Sequence, residues 1–196
     1  MTASFLTELA VQSVKDPARA ARRIIDMNVP SAALWTGLTL MAVLNTLMFV
    51  VSNMLMPGPS MLPGAFNMPV FYFGFVMFGL ILIVYSIFWT GKALGGTGTL
   101  HDVMALVVWL QGLRVVVQAA TVLLLLTIPL LSAILVFVAG ILGLWILVHF
   151  VKEAHGYGSL GQAAGVLIAA FFAMVLGLSL LLTFLGAGSI GSASYV

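Results

Sequence analysis

Four polar side chains interrupt an otherwise apolar stretch in the second half of the chain: Gln111, Arg114, Gln118 and Thr121. They recur at i, i+3, i+7 and i+10, a spacing that places them in one stripe along a helix. Arg114 is the residue that could do chemistry. Its guanidinium carries five N–H donors and keeps its charge, and holding it in lipid costs a few kcal/mol, about 3 on insertion scales, so such residues face the bundle and find partners. Asn45, Ser52 and Asn53 in one apolar stretch, and Tyr85 and Ser86 in another, are the available acceptors. Two readings follow. Arg114 is hydrogen-bonded to neutral amides and carbonyls and locks helices together, or the stripe forms a polar passage or a binding site for an anionic lipid or solute. No Asp or Glu lies in an apolar stretch to pair with it, which argues against a proton or cation relay.

The remaining candidates are weaker. His149 and Glu153 share a helical face at i, i+4, with His155 close by and His101 and Asp102 at the corresponding end of another stretch. These residue types can bind a metal, but an ion-pair cluster with Lys152 fits them better, and no metal ligand is assigned. Gly91-Lys-Ala-Leu-Gly-Gly-Thr-Gly-Thr99 is glycine-rich, yet Ala93 follows Lys92 where a phosphate-binding loop needs Ser or Thr, and no strand precedes it. There is no cysteine, so thiolate metal sites and Fe–S clusters are excluded. No catalytic residue and no cofactor is expected.

The elements that must position Arg114 follow from composition. At 63% hydrophobic and 6% charged, the chain lies far from soluble usage, where about a quarter of residues are charged. A membrane helix needs about 20 apolar residues, and stretches at 31–56, 69–90, 102–126, 129–150 and 163–186 qualify. The expected fold is therefore all-α: an integral membrane bundle of five transmembrane helices, residues 31–186, preceded by a cytoplasmic amphipathic segment at 1–30 and followed by a short tail at 187–196. Residues 1–14 contain Glu8 and lack the basic start and cleavage site of a signal peptide, so the span from Ser31 is expected to stay as an anchor.

Within the first segment, Phe5, Leu6, Leu9, Ala10 and Val14 repeat at helical spacing, with Glu8 and Gln12 opposite. Asp16-Pro17 reads as an N-cap with proline at the first helical position. The next turns set Arg19, Arg22 and Arg23 against Ala21, Ile24 and Ile25. That is an interfacial helix suited to lipid headgroups or, alternatively, a solvated juxtamembrane linker. In the last span Gly161, Gly165, Ala169, Ala173 and Gly177 form a ladder of small residues four apart, which lets helices approach closely, within the bundle or at a dimer face.

Every Lys, Arg, Asp and Glu except Arg114 falls in the N-terminal segment, the 91–102 loop or the 151–162 loop. The 57–68 loop, the 127–129 turn and the tail carry none. By the positive-inside rule the charged side is cytoplasmic, with the N-terminus inside and the C-terminus outside.

Pro17 with its basic helix, Leu94-Gly-Gly-Thr-Gly-Thr-Leu-His-Asp102 leading into the third span, Trp109 in that span, and Trp145 to His149 before the last loop resemble the Yip1 family of five-span membrane proteins in its short bacterial form. The resemblance implies a five-helix bundle with a cytosolic N-terminus in a bacterial inner membrane, without assigned catalysis. The expected partners are membrane lipids, together with another membrane protein or complex or a second copy of the chain. A charge balance of +2 from few ionisable groups gives no nucleic-acid surface. The leading functional expectation is a non-enzymatic scaffold, accessory subunit or membrane-organising factor; the other is a transporter or lipid-binding protein using the Arg114 stripe. Reporter fusions after Arg23 and at Val196 are expected to report opposite sides of the membrane, and reports from the same side would overturn the five-span count.

Overall fold

Asp16 and Pro17 break the N-terminal segment into two helices, α1 (Ala3–Lys15) and α2 (Pro17–Asp26). Proline cannot continue the first helix, but it fits the first turn of the second, where the Asp16 carboxylate accepts from the Arg19 N–H at 3.1 Å. Five long helices follow in the computed structural model: α3 (Ser31–Leu55), α4 (Pro69–Ala93), α5 (Leu100–Thr127), α6 (Pro129–His155) and α7 (Leu160–Phe184). The structure describes residues 3–55, 66 and 68–184. Most of the uncharged 57–68 loop, the end of the last apolar stretch and the 187–196 tail fall outside them.

Local chemistry sets the ends. Pro69 and Pro129 open α4 and α6. A capping box opens α5: Thr99 Oγ1 accepts from the Asp102 N–H and the Asp102 carboxylate accepts from the Thr99 N–H, each at 3.1 Å. Gly156 ends α6 at φ 67°, a left-handed conformation in which glycine carries no Cβ penalty. The described residues are helical without strands. Five of the helices are long and apolar enough to cross a membrane; 25 residues at 1.5 Å each exceed the hydrocarbon thickness of about 30 Å.

The long helices pack as a ring in the order α3, α5, α6, α7, α4 and back to α3, with α4 and α5 also touching across it. The α1–α2 hairpin lies against α5 and α6. Packing is unequal along the ring. Leu34, Leu38, Val84, Ile87, Val103 to Val107, Phe150, Val151, Ala163 and Val166 are buried, and all lie near the end of the bundle that carries the charged segments. At the other end Met54, Val70, Leu126 and Leu130 are exposed; buried Phe66 and Ser132 are the exceptions there.

The charged end is closed by the glycine-rich loop wrapping the end of α6. Thr97 donates through its backbone N–H (3.0 Å) and its hydroxyl (3.2 Å) to the His155 carbonyl. Tyr157 stacks on the His155 ring at 5.5 Å and donates from its hydroxyl to the Gly91 carbonyl at 2.7 Å. Burial pushes the Tyr157 phenol up, so it remains a protonated donor. A Cβ on Gly91 would overlap the buried His155 ring, and one on Gly98 would collide with the Ala154 carbonyl. Gly91→Ala is therefore expected to lower thermal stability in detergent by about 1–3 kcal/mol, and to cost little more when His155→Ala has already removed the ring. Gly98→Ala meets backbone instead, so His155→Ala should not relieve it.

Candidate functional site

Residues on a helix advance by about 100° each, so Arg114 lies within about 60° of Gln111 and about 40° of Gln118. On the same side, Val103, Val107 and Gln111 are buried in the ring. The exposed Val116 and Leu123 project roughly 160–180° away from Arg114. Arg114 thus continues the inward stripe of α5. It is nonetheless exposed, because the ring loosens just beyond Gln111.

No hydrogen bond or ion pair joins Arg114 to any described residue. Gln111 and Gln118 each bury a side-chain carbonyl oxygen with no partner. Thr121 donates to its own helix, to the Val117 carbonyl at 2.8 Å. The acceptors expected for Arg114 are elsewhere. Asn45 donates to the Met41 carbonyl one turn back at 2.8 Å, Ser86 is buried near the charged end of α4, and Tyr85 is partly exposed there. Asn53 and Ser52 line a cleft of about 200 Å³ between the far ends of α3 and α5, with Leu55, Val122, Leu125 and Leu126.

The structure adds one residue to the group. The Tyr72 hydroxyl lies within electrostatic reach of Arg114, on a ring stacked on Phe49 at 3.9 Å. No spacing rule connects the start of α4 with the middle of α5, so the sequence offers no signal for it. The stripe is therefore rich in donors and poor in negative charge. All five Asp and Glu residues, at 8, 16, 26, 102 and 153, lie toward the charged end.

The basic helix is arranged differently from a free headgroup-binding face. Arg22 pairs with Glu153 at 3.4 Å and Arg19 with Asp16 at 3.3 Å. Arg23 pairs with Glu8 at 2.8 Å, hydrogen-bonds to Gln12 at 3.1 Å and stacks over Phe5. Each of the three arginines has a partner within the chain: Arg19 finds Asp16 one turn back on its own helix, whereas Arg22 and Arg23 find theirs because α2 docks on α6 and α1, a tertiary fact that periodicity cannot carry. The histidines separate as well. His101 donates from Nε2 to the Val29 carbonyl at 2.7 Å, since a carbonyl only accepts. His149 packs on Trp145 at 4.1 Å, and His155 is enclosed by the glycine loop. Among the described residues, no three His, Asp or Glu side chains converge as metal ligands do.

In the small-residue ladder, a Cβ on Gly177 would lie 2.9 Å from the Leu82 side chain of α4, whereas one on Gly165 would meet open space and one on Gly161 nearly so. A step of four residues turns about 40° beyond a full circle, so a ladder of five spirals round the helix. The buried face of α7 is instead Ala163, Val166 and Ala170.

Comparison with protein-family models matches the Yip1 domain over residues 11–181. No curated protein and no solved structure matches the chain.

With no hydrogen bond or ion pair among the described residues, Arg114 carries the penalty of its charge uncompensated there. Arg114→Leu is therefore expected to leave the melting temperature in detergent unchanged or to raise it, since an apolar replacement of an uncompensated charge is neutral or stabilising. A loss of more than about 1 kcal/mol would mean that the guanidinium bonds to neighbouring helices.

Proposed function

The chain belongs to the Yip1 domain family, and on that premise we propose that this multi-pass membrane protein receives an oxyanion, a phosphate or carboxylate borne by a lipid or a solute, at Arg114. It works without covalent chemistry: it binds and passes the anion rather than transforming it. The observation that carries the reading is an inward-projecting, exposed arginine with no hydrogen-bond or ion-pair partner among the described residues. The scaffold reading depends on an arginine hydrogen-bonded to neutral groups, and the amides named for that role bond elsewhere or not at all.

The physical case is one of unmatched charge. Charge-assisted bonds from a guanidinium to phosphate or carboxylate are bidentate and roughly twice as strong as neutral ones. They gain further where water is scarce. The side-chain amides of Gln111 and Gln118 can present donors beside the guanidinium, since the two ends of an amide are interchangeable by rotation. Below the stripe the ring is closed by Leu106, Val107 and Phe150; above it the helices part toward the Asn53 cleft. Among the described residues, this arrangement leaves the stripe open toward the uncharged end. With the charged end in the cytoplasm, as the positive-inside rule sets it, the site opens toward the far side of a bacterial inner membrane.

The test uses the purified full-length chain in detergent. Native mass spectrometry with phosphatidylglycerol and with a zwitterionic lipid reads lipid binding, and thermal shift with inorganic phosphate reads the free anion. Saturable stabilisation by one of the two anions is expected, weakened at least tenfold in Arg114→Gln and in part retained in Arg114→Lys. The control Arg22→Gln should bind as the wild type does. Equal binding by wild type and Arg114→Gln rejects the site.

A further inference from the structure

Helix α1 has three faces rather than two. Phe5, Leu9, Gln12 and Ser13 occupy an arc of about 100° and are buried or half-buried against the protein. Next to them Leu6, Ala10, Val11 and Val14 occupy about 140°, and Leu6, Val11 and Val14 are 41–47% exposed. The polar Glu8 and Lys15 fill the remaining sector, and Glu8 is held there by Arg23. The one hydroxyl on the apolar arc, Thr7, is satisfied within the helix by the Ala3 carbonyl at 3.0 Å. A helix packed only in water would have no use for the second face.

The depth of α1 in the bilayer can be fixed from the helices beside it. Ser13 Oγ accepts from the Trp109 indole N–H at 2.9 Å. One residue before Trp109, Val108 packs on Gly37 so closely that a Cβ there would lie 3.0 Å from Val108 Cγ1. Ser13 and Trp109 therefore lie level with Gly37, about 9 Å along α3 and two residues past Trp35, which is 38% exposed. Trp89, 65% exposed, stands at the same distance, about 6 Å, from the charged end of α4. Exposed tryptophans near helix ends sit at the headgroup level.

We propose that α1 lies in the plane of the membrane, in the leaflet at the charged end, with Leu6, Val11 and Val14 immersed among the lipid chains and Glu8 and Lys15 in the headgroup layer. The occupant of the exposed face is thus lipid. The apolar arc runs the length of the helix beside the polar one, as an interfacial helix requires, and it continues the lipid-facing surface of the spans at the tryptophan level. The lipid contact proposed for α1 is apolar and stands beside the headgroup contact expected from the arginines of α2, whose side chains are ion-paired yet reach the surface. This inference does not depend on Arg114.

The cysteine-free chain allows a direct test. Full-length Leu6→Cys, Val11→Cys, Val14→Cys, Glu8→Cys and Lys15→Cys variants, spin-labelled in lipid nanodiscs, are compared for collision with oxygen, which concentrates in lipid, and with an aqueous nickel chelate. Positions 6, 11 and 14 should favour oxygen several-fold over positions 8 and 15, which serve as water-facing controls in the same fold. Nickel access at 6, 11 and 14 equal to the controls would place α1 in water and overturn the proposal. Spin–spin broadening confined to 6, 11 and 14 would overturn it too, by showing a second copy on that face.

Discussion

The His155 ring occupies a space that only glycine can leave open, and the closed end of the bundle depends on that fit. Gly91 and Gly96 come within overlap distance of the ring and Gly98 reaches the Ala154 carbonyl behind it. The loop can then give its Thr97 donors to the end of α6 and receive Tyr157 in return. Lipid offers no hydrophobic drive for apolar helices to associate. What holds these helices in register is the close packing and hydrogen bonding concentrated where α4, α5, α6 and α7 emerge. The α1–α2 hairpin adds the Arg22–Glu153 pair and the Ser13–Trp109 bond to the same end.

Among the described residues the far half has no comparable device. Between α5 and α6 the Ser132 hydroxyl reaches the Thr121 carbonyl at 3.2 Å, and elsewhere in that half the described contacts include aromatic pairs such as Phe49–Tyr72 and Phe66–Phe71. The asymmetry gives Arg114 its character. It stands about three residues, or roughly one helical turn, past the buried Gln111, at the boundary between a packed floor and a parted rim. The same residue one turn earlier would be buried without a counter-charge; about two turns later, level with Val122, it would face a cleft lined by Asn53 and Leu126.

Much of this was legible in the residues. Apolar length marked the five long helices, and Asp16-Pro17, Pro129 and the Thr99–Asp102 pair mark helix starts by local chemistry that needs no tertiary context. The inward stripe through Gln111 and Arg114 was equally local. What escaped was set by distant packing. The glycines of the 91–99 loop signalled close approach, but nothing in the sequence said that a histidine some 60 residues away was what they approach. The arginines of α2 looked free because Glu153 and Glu8 come to them only through the fold.

The Arg22–Glu153 pair also bears on how the protein is made. The two residues are separated by about 130 positions, so at roughly 5–20 residues per second the N-terminal hairpin is complete on the order of ten seconds before Glu153 exists. During that interval Leu9 and Ile24, buried in the finished protein, have no α5 or α6 to cover them. The nearest apolar phase is the membrane into which the chain is being threaded. The hairpin would wait there and be drawn into place only as α6 arrives, so that the segment synthesised first is among the last to reach its final position.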